Sequence, residues 1–233
     1  MTRKTPLVLL PGLLLDGDLW QRQICDLAEI ADIAVGDLTK AETMADLARA
    51  VLDAAPERFA LAGLSMGGYV ALEVMRIAPE RITRLALIDT SARADSPERS
   101  RRRSDLLALA ERGRFRGVTP ALLPFYLHPA HLENAAITGP IFAMATRLGR
   151  DVFTRQTRAV MTRPDYRPGL PKIACPTLVL CGREDQATPL EHSVEMAETI
   201  PDADLVVLGR CGHLAPLERP GAVSAALRSW LER

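Results

Sequence analysis

The chain has 233 residues, 48% of them hydrophobic and 25% charged, which is ordinary globular usage and excludes a disordered or fibrous protein. A single domain of that length buries roughly 70–75% of the surface its unfolded chain exposes, so a core needs no disulfide staple. Basic and acidic residues balance at 29 each, with no nucleic-acid motif and no apolar run near the roughly 18–20 residues of a membrane span, so neither nucleic acid nor membrane is an expected partner.

At the N-terminus, Arg3-Lys4 ahead of Leu7–Leu15 has the outline of a secretory signal, but Pro11-Gly12 interrupts the run and no small-residue cleavage site follows. A cytoplasmic protein is expected, with Cys25, Cys175, Cys181 and Cys211 reduced, since none forms a C-x-x-C pair. Six short apolar runs read as buried strands: Leu7–Leu10, Ile30–Val35, Arg58–Ala62, Leu85–Ile88, Thr177–Cys181 and Leu205–Leu208. Helix-start signals lie between them. Asp18 has Gln21 three residues on, and Thr188-Pro189-Leu190-Glu191 reads as N-cap, N1 proline and capping-box glutamate. This alternation predicts an α/β fold, doubly wound on a mainly parallel six-stranded sheet, with ligands beyond the carboxyl ends of the strands.

The alternation stops between about Ser91 and Leu170. There the pattern gives three or four amphipathic helical segments, opening at Ser96-Pro97-Glu98 and closing in Arg163–Gly169, a stretch too broken for helix. The chain thus divides into a core of residues 1–90 and 171–233 and a helical cap of residues 91–170 inserted after the fourth strand. Residues 91–170 hold fourteen arginines against seven acids, which reads first as a solvated face, with an anionic substrate or partner as the alternative. Six of the ten aromatic residues lie there too, Phe115, Phe125, Tyr126, Phe142, Phe153 and Tyr166, and a small core of the cap's own is their ordinary reading.

The sharpest local signal is Ala62-Gly63-Leu64-Ser65-Met66-Gly67-Gly68, a G-x-S-x-G turn between a strand and the helical run Tyr69–Ile77. Glycines on both sides permit a tight turn that lifts the Ser65 hydroxyl above the sheet edge, with the Met66 amide facing a developing oxyanion. Serine is a weak nucleophile without a base. Of the four histidines, His213 alone follows a strand, in Gly209-Arg210-Cys211-Gly212-His213; His192 sits in a helix start, and His128/His131 make a weak metal pair with no third ligand, so no metal is expected. Asp185, in Gly182-Arg183-Glu184-Asp185 after the fifth strand, is the first choice of orienting acid. Glu184 and Asp89, the latter ending the fourth strand, are the competitors. A second oxyanion donor is expected at the Leu13 amide, in the loop after the first strand, where Gly12 allows close approach. Leu14, Phe125, Tyr126, Phe142 and Leu214 are the candidate lining of a hydrophobic acyl pocket.

On these motifs, together with Gly212-His213 and the closing Pro216-Leu217-Glu218-Arg219-Pro220, the chain resembles the α/β-hydrolase superfamily, in its small serine esterase-like branch with a helical cap, over nearly its whole length. The resemblance implies Ser65 as nucleophile, His213 as base, Asp185 as its orienting acid, and the amides of Leu13 and Met66 as the oxyanion hole, with no cofactor. Two departures stand out. Pro11-Gly12 replaces a His-Gly whose histidine supports the oxyanion loop in many relatives, and two leading strands of larger members look absent, leaving six parallel strands. The function expected is hydrolysis of small to medium hydrophobic carboxylic esters by a monomer or homodimer. The rivals are C–C bond hydrolysis, lyase or lactonase chemistry on an anionic substrate, and a ligand-binding protein without turnover.

Overall fold

The computed structural model describes residues 4–233; Arg3 of the N-terminal basic pair lies outside the described residues. The chain runs β1 (Thr5–Leu10), α1 (Gln21–Leu27), β2 (Ala31–Val35), α2 (Met44–Ala54), β3 (Phe59–Leu64), α3 (Met66–Ile77) and β4 (Ile82–Ile88). Then come α4 (Pro97–Glu111), α5 (Leu123–Tyr126) and α6 (Ala135–Met161), before β5 (Thr177–Gly182), α7 (Leu190–Thr199), β6 (Ala203–Leu208), α8 (Ala215–Glu218) and α9 (Pro220–Glu232). The six strands form one wholly parallel sheet in the order β2-β1-β3-β4-β5-β6, so the predicted doubly wound α/β architecture is observed. The order reverses between β1 and β3, which opens a crevice beyond their carboxyl ends. Leu10 pairs with Gly63 across that junction, so the loops following the two strands begin side by side.

Burial follows strand position. Every residue of β3 and β5 is buried, and alternate residues of β1 enter two apolar clusters, Val8 and Leu10 on the α2/α3 face and Leu7 and Leu9 on the α1/α9 face. The outer strands differ from expectation: β2 and β6 are partly exposed, Leu205 to 37%, because an edge strand has a neighbour on one side only. Two helix starts also need correction. Asp16, not Asp18, caps the 3₁₀ turn Gly17–Trp20 by accepting from the Asp18 amide, and α1 follows from Gln21. Pro189 itself precedes the first helical residue of α7 with ψ of 152°, which frees the Thr188 side chain for another use.

Residues between β4 and β5 are helical or irregular. Ser96 caps α4 as read, accepting from Arg99 N–H. α6 is two helical runs that meet at a break at Gly149 (φ 71°, ψ −171°), and the stretch read as too broken for helix ends in a 3₁₀ turn, Arg167–Lys172. Much of the arginine excess faces acids of the core: Arg147 pairs with Asp16 and Asp18, Arg158 with Glu42, and Arg93 and Arg167 with Glu195. Arg163, with its side chain 1% exposed, pairs with Asp95 and lies 4.1 Å over the Tyr69 ring. No helix of the described residues is long and apolar enough to cross a membrane.

Candidate active site

Ser65 sits where β3 ends and α3 begins, at φ 54° and ψ −113°, a conformation costing about 1–3 kcal/mol for a non-glycine residue. The surroundings enforce it. The Ser65 amide donates to the Ile88 carbonyl at 3.0 Å, and its own carbonyl accepts from Gly68 and Tyr69 amides and from the Thr90 hydroxyl at 2.8 Å. A Cβ on Gly63 would stand 2.3 Å from the Gly67 carbonyl oxygen, so the turn closes only with glycine there. A serine preceding a helix ordinarily caps it; here the side chain makes no cap bond and points to His213.

His213 Nε2 lies 2.8 Å from Ser65 Oγ, and Nδ1 lies 2.8 Å from Asp185 Oδ2. With a carboxylate at Nδ1, the network assigns the ring proton to that nitrogen and leaves Nε2 to accept from the serine hydroxyl. Asp185 is held on all sides. Its Oδ1 accepts from the Ala187 and Thr188 amides, and its Oδ2 also accepts from the Thr188 hydroxyl at 2.7 Å. Burial alone would push this carboxyl up, but the His213 ring and the Thr188 bonds hold it below the ordinary value of 3.8.

The two competing acids have other tasks. Asp89, fully buried at φ 43°, accepts from Gly182 N–H with Oδ1 and from Ala215 N–H with Oδ2, tying the Asp185 loop to the His213 loop. Its burial, and then the nearby Asp185 charge, push its carboxyl well above the ordinary value. Glu184 accepts from Cys211 N–H at 3.0 Å, two residues before His213. Glu218 takes four donors: its Oε1 accepts from the Gly212 and Leu214 amides that flank His213, and its Oε2 accepts from His128 N–H and meets His131 Nδ1, each at 2.8 Å.

Gly12 lies against the serine, since a Cβ built on it would be 3.5 Å from Ser65 Cβ. Leu14, buried at φ 56°, donates its N–H to Gln156 Oε1 of α6 at 2.9 Å. Tyr126, Phe142 and Leu214 share one apolar cluster; Tyr126 accepts from His213 N–H at 2.7 Å and its ring lies 5.9 Å from the imidazole. Phe125 stands edge-on to Tyr126 beneath Arg102. Sequence reasoning missed Thr188, Asp89 as a clamp, Glu218 and Gln156. Thr188 carries a helix-capping signal, Glu218 lies in the closing Pro216–Pro220 motif with nothing local to mark its role, and Gln156 carries no local signal at all.

Residues 5–220 match the family described as alpha/beta hydrolase fold. A pimeloyl-[acyl-carrier protein] methyl ester esterase of Vibrio campbellii is 28% identical, over 89% of this chain and 87% of that protein. A putative carbamate hydrolase of Yersinia enterocolitica is 27% identical, over 96% of this chain and 86% of its own length. Among solved structures, a thermophilic esterase from Thermogutta terrifontis with malate bound superimposes with a TM-score of 0.89 at 30% identity, covering 98% of this chain and 89% of that one.

Proposed function

The chain belongs to the alpha/beta hydrolase family, and on that premise we propose that it is a serine hydrolase cleaving carboxylic esters of small to medium hydrophobic acyl groups. The observation that carries the reading is the unbroken line from Ser65 Oγ through both His213 nitrogens to Asp185, each link 2.8 Å, starting from a serine whose strained backbone turns its hydroxyl away from helix capping. That two of the similar proteins are named esterases supports the choice of ester carbonyl.

In the proposed reaction His213 Nε2 accepts the Ser65 proton as Oγ attacks the ester carbonyl, and Asp185 stabilises the imidazolium without itself taking a proton. The amides of Leu13 and Met66 receive the oxyanion, the latter with the positive end of α3 behind it. The imidazolium gives its proton to the departing alcohol. Water, deprotonated by the same nitrogen, then releases the acid. These groups supply every proton transfer and the charge stabilisation, so the reading calls for no cofactor. Leu14, Phe125, Tyr126, Phe142 and Leu214 are proposed as the acyl pocket, and the arginines that pair with core acids support a neutral rather than an anionic substrate.

Hydrolysis of p-nitrophenyl esters of increasing acyl length, by wild type and Ser65→Ala, tests this. Loss of at least about 10³-fold in turnover is expected, in line with removal of a triad member. A wild type that cleaves none of the esters and is not labelled at Ser65 by a fluorophosphonate overturns it.

A further inference from the structure

The loop after β1 turns at Gly12-Leu13-Leu14-Leu15. The Gly12 carbonyl accepts from Leu15 N–H at 3.2 Å, and of the two central residues only Leu14 takes a positive φ, 56°. Those are the marks of a type II turn, whose third position favours glycine or asparagine and here carries a buried leucine. Such a turn has a ready escape. Flipping the Leu13–Leu14 peptide gives a type I turn in which Leu14 returns to negative φ, where leucine is unstrained.

Gln156 opposes the flip from 142 residues away. Its Oε1 accepts the Leu14 N–H at 2.9 Å, its Nε2 donates to the Leu38 carbonyl at 3.1 Å, and the side chain is wholly buried. The Leu38 bond fixes which end of the amide faces the loop, so the group met by Leu14 is an acceptor. A flipped peptide would present the Leu13 carbonyl to that acceptor, two oxygens facing each other where water does not reach. We infer that Gln156 is a positioning residue for the oxyanion hole: by locking the Leu13–Leu14 peptide it fixes the turn that carries the Leu13 amide, in a loop whose Gly12 lies against Ser65. The inference rests on the serine-hydrolase reading. It assigns the helical insertion a part in the chemical step, through a side chain that bonds to none of Ser65, Asp185 and His213.

Gln156→Met keeps the side chain's length and deletes both polar ends. On the wild type's preferred p-nitrophenyl ester, kcat is expected to fall about 10–100-fold, less than for outright removal of an oxyanion donor, with KM within about threefold. A trifluoromethyl ketone, which forms an oxyanion on the serine, loses affinity by the same factor, whereas a non-hydrolysable ether of the same acyl length binds as before. Replacing Leu14 by its α-hydroxy acid deletes the donor N–H while keeping both side chains and should reproduce the kcat loss, which keeps the test decisive if Gln156→Met does not fold. An unchanged kcat in either folded variant, or equal weakening of ketone and ether, overturns the inference. A wild type with no esterase activity and no fluorophosphonate label brings down the underlying reading as well, an outcome distinct from an active wild type and an indifferent variant.

Discussion

The two walls of the site are held by different physics. On the sheet side the constraint is main chain against main chain: a Cβ on Gly63 would meet the Gly67 carbonyl at 2.3 Å, and one on Gly182 would meet the Gly212 carbonyl oxygen at 2.0 Å. On the side of the helical insertion the constraint is long side chains reaching across: Gln156 to Leu14 and Leu38, Arg147 to Asp16 and Asp18, and His131 to Glu218. Backbone contacts cannot be adjusted without moving whole strands, whereas a side-chain grip can be altered one residue at a time. Changes on the sheet wall should therefore act all or nothing, and changes on the insertion wall should be graded.

The largest effect is expected at Asp185. Asp185→Asn keeps the shape but presents an amide to His213 Nδ1, and a fall in kcat of about 10⁴-fold should follow from loss of the correct tautomer. The same variant has a pH signature. The folded-state carboxyl is held below its ordinary 3.8, so its contribution to stability is present above that value and is lost as pH falls from there toward the depressed one. Denaturation curves at successive acid pH values should show this loss in the wild type and a flatter limb in Asp185→Asn. Next comes Gly182→Ala, which forces the Asp185 and His213 loops apart and should cost more than about 3 kcal/mol, read as a fall in the urea midpoint. A midpoint near wild type would mean that the sheet wall yields after all.

This difference also decides what the sequence made legible. The parallel sheet, the serine turn and the Asp185 and His213 loops could be read because each candidate residue lies at, or within a few residues of, the carboxyl end of a strand, and strand and glycine signals are local. The acid could not be settled from sequence: Asp89 and Asp185 both lie in loops at the carboxyl ends of neighbouring strands, and only the bonds from Gly182 and Ala215 to Asp89 show it to be a clamp. Thr188 looked like a helix cap because hydroxyl-before-proline is a capping pattern, yet its hydroxyl donates to Asp185. Pro11 stands where the family resemblance implies a loop-supporting histidine, and the bond that holds Leu14 comes instead from α6. No periodicity connects residues so far apart.

Glu218 stands on the boundary between the walls, its side chain wholly buried, with one oxygen on the His213 loop and the other on the insertion. Glu218→Gln keeps an acceptor for only one of them. Facing its oxygen to the Gly212 and Leu214 amides satisfies two donors, and its NH₂ can meet His131 Nδ1 as an acceptor, which leaves His128 N–H alone without a partner. One unsatisfied buried amide costs about 1–3 kcal/mol. Faster hydrogen exchange at the His128 amide is expected, with kcat within about fivefold of wild type. A fall of 100-fold would instead mean that Glu218 serves the catalytic loop first and the insertion second.

Arg147 should give the smallest effect, and its sign with salt is what makes it informative. The guanidinium donates to Asp16 through Nε and Nη2 and to Asp18 through Nη2, across the boundary between insertion and core, but half of it is exposed. Its pairs gain little in water and are screened by ions, whereas the Gln156 contact is buried and uncharged. Melting temperature measured for Arg147→Ala at about 0.05 M and 0.5 M salt should therefore show a small deficit that closes at the higher concentration, where the Debye length falls to only a few ångströms. Gln156→Met, on the other side of the Gly149 break, should show a deficit that salt does not move. If both variants respond alike, the insertion is held by one undivided interface, and the division between a tuned oxyanion contact and a general electrostatic grip does not stand.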